Sequence, residues 1–229
     1  MCRAFGCILA VGFLGTAALS QEASSAKPLP TVTFTCDFPG SNPDHYFISI
    51  ANDGSASYDS TGKLTAQSDG DDPFRMDFKI TNETRERVFA LTQQADYFAG
   101  RVDSGKKLAS MGMKTLTYQD EQRSTKAAYN YSSRPAVQQL TQLLQGMAIT
   151  LEFGRRLEYE YHYQKLALDE ELKEMEAESD RGRLVELAAV TPILSKIEMD
   201  ASLVNIARVR AQRLLAASQL SHSPSKAGK

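Results

Sequence analysis

The chain has 229 residues, of which 42% are hydrophobic and 24% charged, with a formal net charge of -2. Those proportions are those of an ordinary globular protein and exclude a disordered or collagen-like chain. A pI near 6.0 and the lack of a basic stripe argue against a nucleic-acid surface.

The first twenty residues read as a cleavable signal peptide. Met1 and Arg3 give a short positive start, and residues 4–18 form an uncharged apolar run. Ala18-Leu19-Ser20 then sets small residues at the two positions read before a cut between Ser20 and Gln21. The run falls short of the roughly 20 apolar residues that span a bilayer, so cleavage is expected rather than anchoring. A lipoprotein would place its cysteine directly after the run, whereas Cys2 and Cys7 lie before or inside it. Of the three cysteines only Cys36 follows the cut, so the exported chain is expected to lack an internal disulfide. The most apolar later stretch, residues 184–194, is interrupted by Glu186 and Pro192 and is not expected to cross a membrane. A soluble protein, secreted or periplasmic, is expected.

Residues 21–31 read as a flexible linker and residues 32–134 as an α+β domain. Val32, Phe34, Cys36 and Phe38 alternate with Thr33, Thr35 and Asp37, the period-two pattern of a strand with one buried face. Tyr46, Ile48 and Ile50 repeat it after the loop at 39–44. Asn52-Asp53-Gly54 supplies turn residues that tolerate positive φ, so residues 55–58 are expected to return antiparallel. Residues 61–73, with Gly62 and with acids around Gly70, read mostly as loop. Phe74, Met76, Phe78 and Ile80 then give the cleanest strand pattern of the chain. Directly after it the period becomes helical through Thr84, Val88, Leu91, Ala95 and Phe98, with Thr81 or Asn82 as N-cap and Gly100 past the end. Residues 113–118 and 125–131 read as a second hairpin.

Residues 135–218 read as a helical region. Pro135 occupies a favoured first helical position, and Val137, Leu140, Leu144, Met147 and Leu151 mark one face of a long helix. Their near-heptad spacing also fits a coiled coil, against which Gly146 and Gly154 weigh. Leu168-Asp169 offers a cap for a helix over 170–178, Asp180-Arg181-Gly182 a break, and Thr191-Pro192 a restart. Asp200 offers a cap for a last helix carrying Leu203, Ile206, Leu214 and Leu215. Residues 219–229 read as a disordered tail.

The run from Phe34 to about Leu144 resembles a family of domains of unknown function in exported bacterial proteins. The residues that carry the resemblance are Cys36, the Pro43-x-x-Tyr46-x-Ile48-x-Ile50 strand, the Asp53-Gly54 turn with Tyr58, Ala95-Asp96-Tyr97-Phe98, and Tyr131 before Pro135 and Leu140. Members of that family usually carry a second cysteine just before the proline matched by Pro43, where this chain has Asn42. The resemblance implies the fold and export, and brings no activity with it.

No His-Glu-x-x-His, Cys-x-x-Cys or Gly-x-Ser-x-Gly motif is present, and Gly62-Lys63-Leu64 lacks the hydroxyl of a phosphate loop. No cofactor or metal is expected. Cys36 is a candidate nucleophile by type, but its place between Phe34 and Phe38 reads as a buried thiol. His45 beside Asp44 is a candidate general base, set against an ordinary loop pair. Asp69, Asp71 and Asp72 are candidate calcium ligands without the alternation and closing Glu of a calcium loop. In the run 158–163, a helix would pair Glu158 with His162 and Tyr159 with Tyr163, either packing together or offering an aromatic surface. Asn82 and Asn130 head glycosylation sequons, and capping already accounts for Asn82.

The expected fold is α+β: an antiparallel sheet covered by a helix over 82–98 and the long helix from Pro135, followed by a helical region. The expected function is a non-enzymatic binding or interaction protein of the cell envelope or periplasm, with the helical third as its contact surface. A hydrolase built on carboxylates, with or without His45, is one alternative, and it needs Asp44 or the acids between Asp69 and Asp77 to converge with another acid in a pocket. Attachment to a membrane surface by the last helix, through Arg208, Arg210 and Arg213 beside Leu203, Ile206 and Leu214, is another.

Overall fold

A computed structural model describes residues 28–220 apart from 66, 67, 69, 71, 107, 108, 110 and 111. The Ser20–Gln21 junction, linker residues 21–27, Asp69, Asp71, His222 and residues 221–229 lie outside the described residues.

The sheet is antiparallel throughout, in the order β4-β3-β2-β1-β5-β6. Its strands are β1 (Thr31–Asp37), β2 (His45–Ala51), β3 (Ser55–Gly62), β4 (Asp72–Lys79), β5 (Met113–Gln119) and β6 (Ser124–Tyr129). The N-terminal strand is central, pairing Phe34 with Ile48 on one side and with Leu116 on the other. Because side chains alternate, Val32, Phe34, Ile48, Ile50, Tyr58 and Leu116 fall on one buried face. Thr33, Thr35, Ser49, Ser57, Thr115 and Thr117 fall on the other face, which stays only partly covered.

The strands differ from the sequence reading in two places. Phe38 leaves the apolar row because β1 ends at Asp37; the Phe38 N–H bonds Asp44 O at 2.7 Å within the turn, and the ring is exposed. The segment 61–73 is mostly loop only between its ends, since Gly62 pairs with Asp72 and prolongs the hairpin. The strand of cleanest alternation, β4, lies at the sheet edge with its apolar row half-buried.

Five helices cover the inner face and build the C-terminal region: α1 (Asn82–Gln94), α2 (Pro135–Tyr163), α3 (Leu168–Asp180), α4 (Thr191–Met199) and α5 (Asn205–Leu220). Short 3-10 helices span Asp96–Phe98 and Leu187–Val190. Thr81 caps α1 by accepting from Thr84 N. Glu186, in the left-handed region at φ 60, adds a distant contact, accepting from Thr81 N at 3.1 Å and Thr81 Oγ1 at 2.7 Å. A carboxylate there also complements the α1 dipole. The helix predicted to reach Phe98 ends at Gln94, and Asp96, Tyr97 and Phe98 continue with positive φ. Tyr97 turns out to stack 4.8 Å from Tyr118, with the Arg123 guanidinium 4.2 Å from its ring.

Two expected caps act elsewhere. The third helix starts at Leu168 without a side-chain cap, and Asp169 binds Arg210 instead. Asp200 closes the loop before α5 by accepting from Ser202 N at 2.9 Å, and the helix itself begins at Asn205. Residues 219 and 220, assigned to the tail, belong to α5.

The long helix joins two hydrophobic cores. Val137, Leu140, Leu144, Met147 and Leu151 pack with the sheet and α1, which accounts for their spacing without a coiled coil. From Phe153 and Leu157 onward the helix packs with α3, α4 and α5 through Leu172, Met175, Ile197 and Leu214. The chain between α3 and α4 crosses α2 at its two interior glycines. A Cβ on Gly146 would come 2.7 Å from Arg183 O, and one on Gly154 would come 2.5 Å from Val190 Cγ1. Glycine at both points lets that segment seat against the helix, at some cost in helix propensity.

Candidate functional site

One row of the inner face departs from the apolar pattern. The strand registers set Phe74, Ser60, Tyr46, Cys36, Lys114 and Tyr129 side by side across all six strands. Apart from Phe74, every member carries a polar or ionisable group, and each of these is buried. A buried polar group costs stability unless it is hydrogen-bonded, so partners are required here.

Helix α2 and the sheet supply them. Glu152 Oε1 accepts from Ser60 Oγ at 2.6 Å and from Tyr58 OH at 2.8 Å. Glu152 Oε2 lies 3.5 Å from Arg155 Nη1, and Arg155 Nη2 donates to Asp72 O at 2.7 Å. The i,i+3 spacing of Glu152 and Arg155 puts them on one helix face, and both are buried. Tyr129 OH and Thr141 Oγ1 share a hydrogen bond of 2.5 Å. Lys114 Nζ donates to Gly112 O at 3.0 Å and Asn130 O at 3.1 Å.

The electrostatics hold the thiol and the two phenols of the row in uncharged forms. Burial raises the Cys36 thiol, with Tyr46 and Lys114 acting against it. Burial likewise lifts Tyr46, Tyr58 and Tyr129 far above the usual phenol range. Burial lowers the Lys114 ammonium, opposed by the neighbouring Cys36 sulfur. Cys36 therefore rests as a thiol, and Glu152 is engaged by three donors. A protonated, buried Cys36 is not an activated nucleophile.

At the β4 end, the row opens on a cleft of about 490 Å³ between the sheet edge and the helical region. Phe74 and Met76 form one wall and Ala189, Val190, Pro192 and Ile193 the other, with Arg155 at the base. Clefts of this size at the junction of two packed regions are common ligand sites. The Arg155 guanidinium also lies 5.4 Å from the Phe74 ring, which fixes that wall.

The residues named from sequence are dispersed. His45 pairs with Asp37, not Asp44: the two face each other across β1 and β2, with Nδ1 2.5 Å from Oδ1 on the outer side of the sheet. His45 and Asp59 line a shallow recess of about 300 Å³, where Asp59 is the one carboxylate. Asp72 accepts from Leu64 N at 3.3 Å, and Asp77 is exposed on β4. Among the described residues, no three His, Cys, Asp or Glu side chains could hold a metal ion. Asn42 donates to Lys63 O at 2.8 Å.

In the helical third, the Tyr159 and Tyr163 rings stack at 5.1 Å and His162 Nδ1 lies 3.9 Å from Glu158. Glu158 also meets Lys196 Nζ at 3.1 Å, and Tyr161 packs on the second core. Arg210 bridges Asp169 and Glu176, Arg213 reaches Glu176 at 3.5 Å, and Arg208 donates to Glu198 O. Leu203 and Leu214 are buried, whereas Ile206 is exposed. Among the described residues no helix is long and apolar enough to cross a membrane.

Glu152, Arg155 and Lys114 were not marked by the sequence. A signal existed: Lys114 occupies an apolar position of the alternation in β5, and Glu152 interrupts an apolar helix face. Comparison with models of known protein families and with curated proteins finds no match.

Proposed function

We propose that the protein is an exported, non-enzymatic binding protein of the cell envelope or periplasm that takes an extended polypeptide segment along β4. The reading rests on one observation: among the described residues β4 has no further strand on its outer side, and the mostly apolar cleft lies alongside it. Ile80 N–H bonds Gly54 O at 3.0 Å, so in the alternating antiparallel pattern Phe78, Met76 and Phe74 also turn their backbone groups to β3. The intervening Arg75, Asp77 and Lys79 turn theirs outward. An added strand would pair with these three residues, and its alternate side chains would fall beside Phe74 and Met76 over the cleft.

Such an occupant is a strand rather than a helix or a small molecule, because only extended backbone satisfies a row of outward amides and carbonyls. The side chains of Arg75 and Asp77, 68% and 75% exposed, would meet opposite charges on the outer face of that strand. Export is supported by the N-terminal charge, apolar run and Ser20–Gln21 junction. The hydrolase reading keeps one point of support, since Asp72 and Glu158 both line the β4 cleft, whereas His45 and Asp77 lie outside it.

The test is fluorescence anisotropy of a labelled seven-residue peptide with alternating apolar and charged residues. Asp77→Pro deletes one outward N–H at an edge position where proline is tolerated. Binding by the native chain, weakened at least tenfold by Asp77→Pro and unchanged by Lys126→Pro on the opposite edge, is the expected result. Equal binding by all three would refute it.

A further inference from the structure

We infer that the groove along the outward side of α2, between α1 and the chain at 182–185, binds a short acidic peptide segment in extended form. The groove holds about 440 Å³ and shares no lining residue with the β4 cleft. Its floor is a stripe of α2 made by Gln139, Gln142, Gly146 and Ile149, whose spacing of three and four residues keeps them on one side of the helix. Ten residues of helix rise about 15 Å, which matches about four to five residues of extended chain.

The walls of the groove are fixed. Gly146 lets the second wall seat on the helix, since a Cβ there would come 2.7 Å from Arg183 O. That wall is tied to α2 by Val185 N–H, which donates to Thr150 Oγ1 at 3.1 Å, and to the start of α1 by Glu186, which accepts from Thr81. A site shaped before binding costs its ligand less ordering.

Its charge is one-sided. Arg87 and Arg183 line it, and no Asp or Glu does. Arg183 is engaged by Glu178 at 2.5 Å, and Arg181 meets the same carboxylate at 2.8 Å, so that trio keeps a net positive charge without offering Arg183 to a ligand. Arg87 differs. It is exposed on α1, and among the described residues neither Glu83, one turn before it, nor any other group pairs with it. The side-chain amides of Gln139 and Gln142 are likewise without a hydrogen-bond partner among the described residues.

These groups define the ligand. A guanidinium takes a carboxylate through two parallel N–H bonds. A glutamine amide offers one acceptor and two donors, the complement of a backbone peptide unit. Leu143, Ile149 and Val185 add apolar contact for a side chain between them. Carboxylate, in-line amides and an apolar side chain together describe an acidic peptide. A simple anion would use Arg87 alone, and a single exposed ion pair is weak.

Fluorescence anisotropy of the purified protein tests this, with a labelled five-residue peptide carrying two glutamates and a leucine, and the same peptide with glutamines in place of the glutamates. The acidic peptide is expected to bind at least tenfold more tightly than the neutral one. Arg87→Gln should weaken it about fivefold and Arg87→Glu at least tenfold, in chains whose melting transition is unaltered because the position is exposed. Gln142→Glu, on the other helix, should also weaken it at least fivefold. Asp77→Pro should leave it unaffected, which separates this groove from the β4 edge. Equal affinity for the two peptides would overturn the inference, as would full binding by both Arg87→Glu and Gln142→Glu. Acetate or phosphate competing as well as unlabelled peptide would also overturn it, by reducing the groove to a simple anion site.

Discussion

Glu152 and Arg155 meet at 3.5 Å on the buried face of α2, and through them the helix grips two strands at once: Glu152 holds Tyr58 and Ser60 of β3, Arg155 the Asp72 carbonyl of β4. Removing one partner leaves a buried charge uncompensated, which costs about 3–5 kcal/mol. Urea denaturation should show Glu152→Ala and Arg155→Ala each destabilised by about that amount. Glu152→Gln/Arg155→Met, which removes both charges and keeps volume, should be less destabilised than the sum of its singles. Additive losses would contradict the coupling.

Cys36 is free and buried in the central strand, and its thiol is raised by burial. Thiolate is the reactive species, so an aromatic disulfide reagent should modify the native protein at least about 100-fold more slowly than the denatured one. Comparable rates would mean that the strand face is accessible.

Glu160 on α2 is pushed up to about 7, first by burial and then by the charge of Glu171, with Arg156 opposing and Glu174 adding a smaller push. Its Oε2 atom is buried without a hydrogen-bond partner among the described residues. The native state holds this proton more firmly than the unfolded chain, so the contribution to stability is full below the unfolded value near 4.5 and is lost as pH rises through 7. Glu160→Gln should gain stability at pH 8 on the order of 2 kcal/mol and show little change at pH 4. A gain of equal size at both pH values would show that ionisation is not the cause.

Gly154 faces Val190 where the helical region seats on α2. An added methyl overpacks that contact, so Gly154→Ala should cost about 1–3 kcal/mol despite alanine's better helix propensity. In the Gly154→Ala/Val190→Ala chain the two losses should fall short of additivity by more than about 0.5 kcal/mol in the same urea assay. Additivity would place the crossing elsewhere.

Local chemistry accounts for much of what the chain becomes. The alternation of Val32, Phe34 and Cys36, the Asn52-Asp53-Gly54 turn, the Thr81 cap, the Pro135 start and the Gly182 break each act within a few residues, and each marks an element in the α+β fold. Those signals are readable because strand and helix periods follow from backbone geometry alone. The order of strands is a different matter: nothing near Thr31 in sequence says that β1 lies at the centre, or that the clean pattern of β4 lies at an edge. Pairing between strands far apart in the chain decides that.

The same limit explains the site. Asp37 and His45 are joined, and Asp44 is not, because register sets which side chains face each other across a ladder. Ser60, Tyr46, Cys36, Lys114 and Tyr129 become one row only when five strand pairings are in place, and Glu152 and Thr141 become partners of Ser60 and Tyr129 only when α2 lies across them. By itself the sequence determined most of the elements, the single cysteine after residue 20 and the absence of His-Glu-x-x-His, Cys-x-x-Cys and Gly-x-Ser-x-Gly motifs. The tertiary structure alone decided which buried polar groups meet, because hydrogen bonds over a few ångströms depend on contacts between residues as far apart as Tyr58 and Glu152, which no local period encodes.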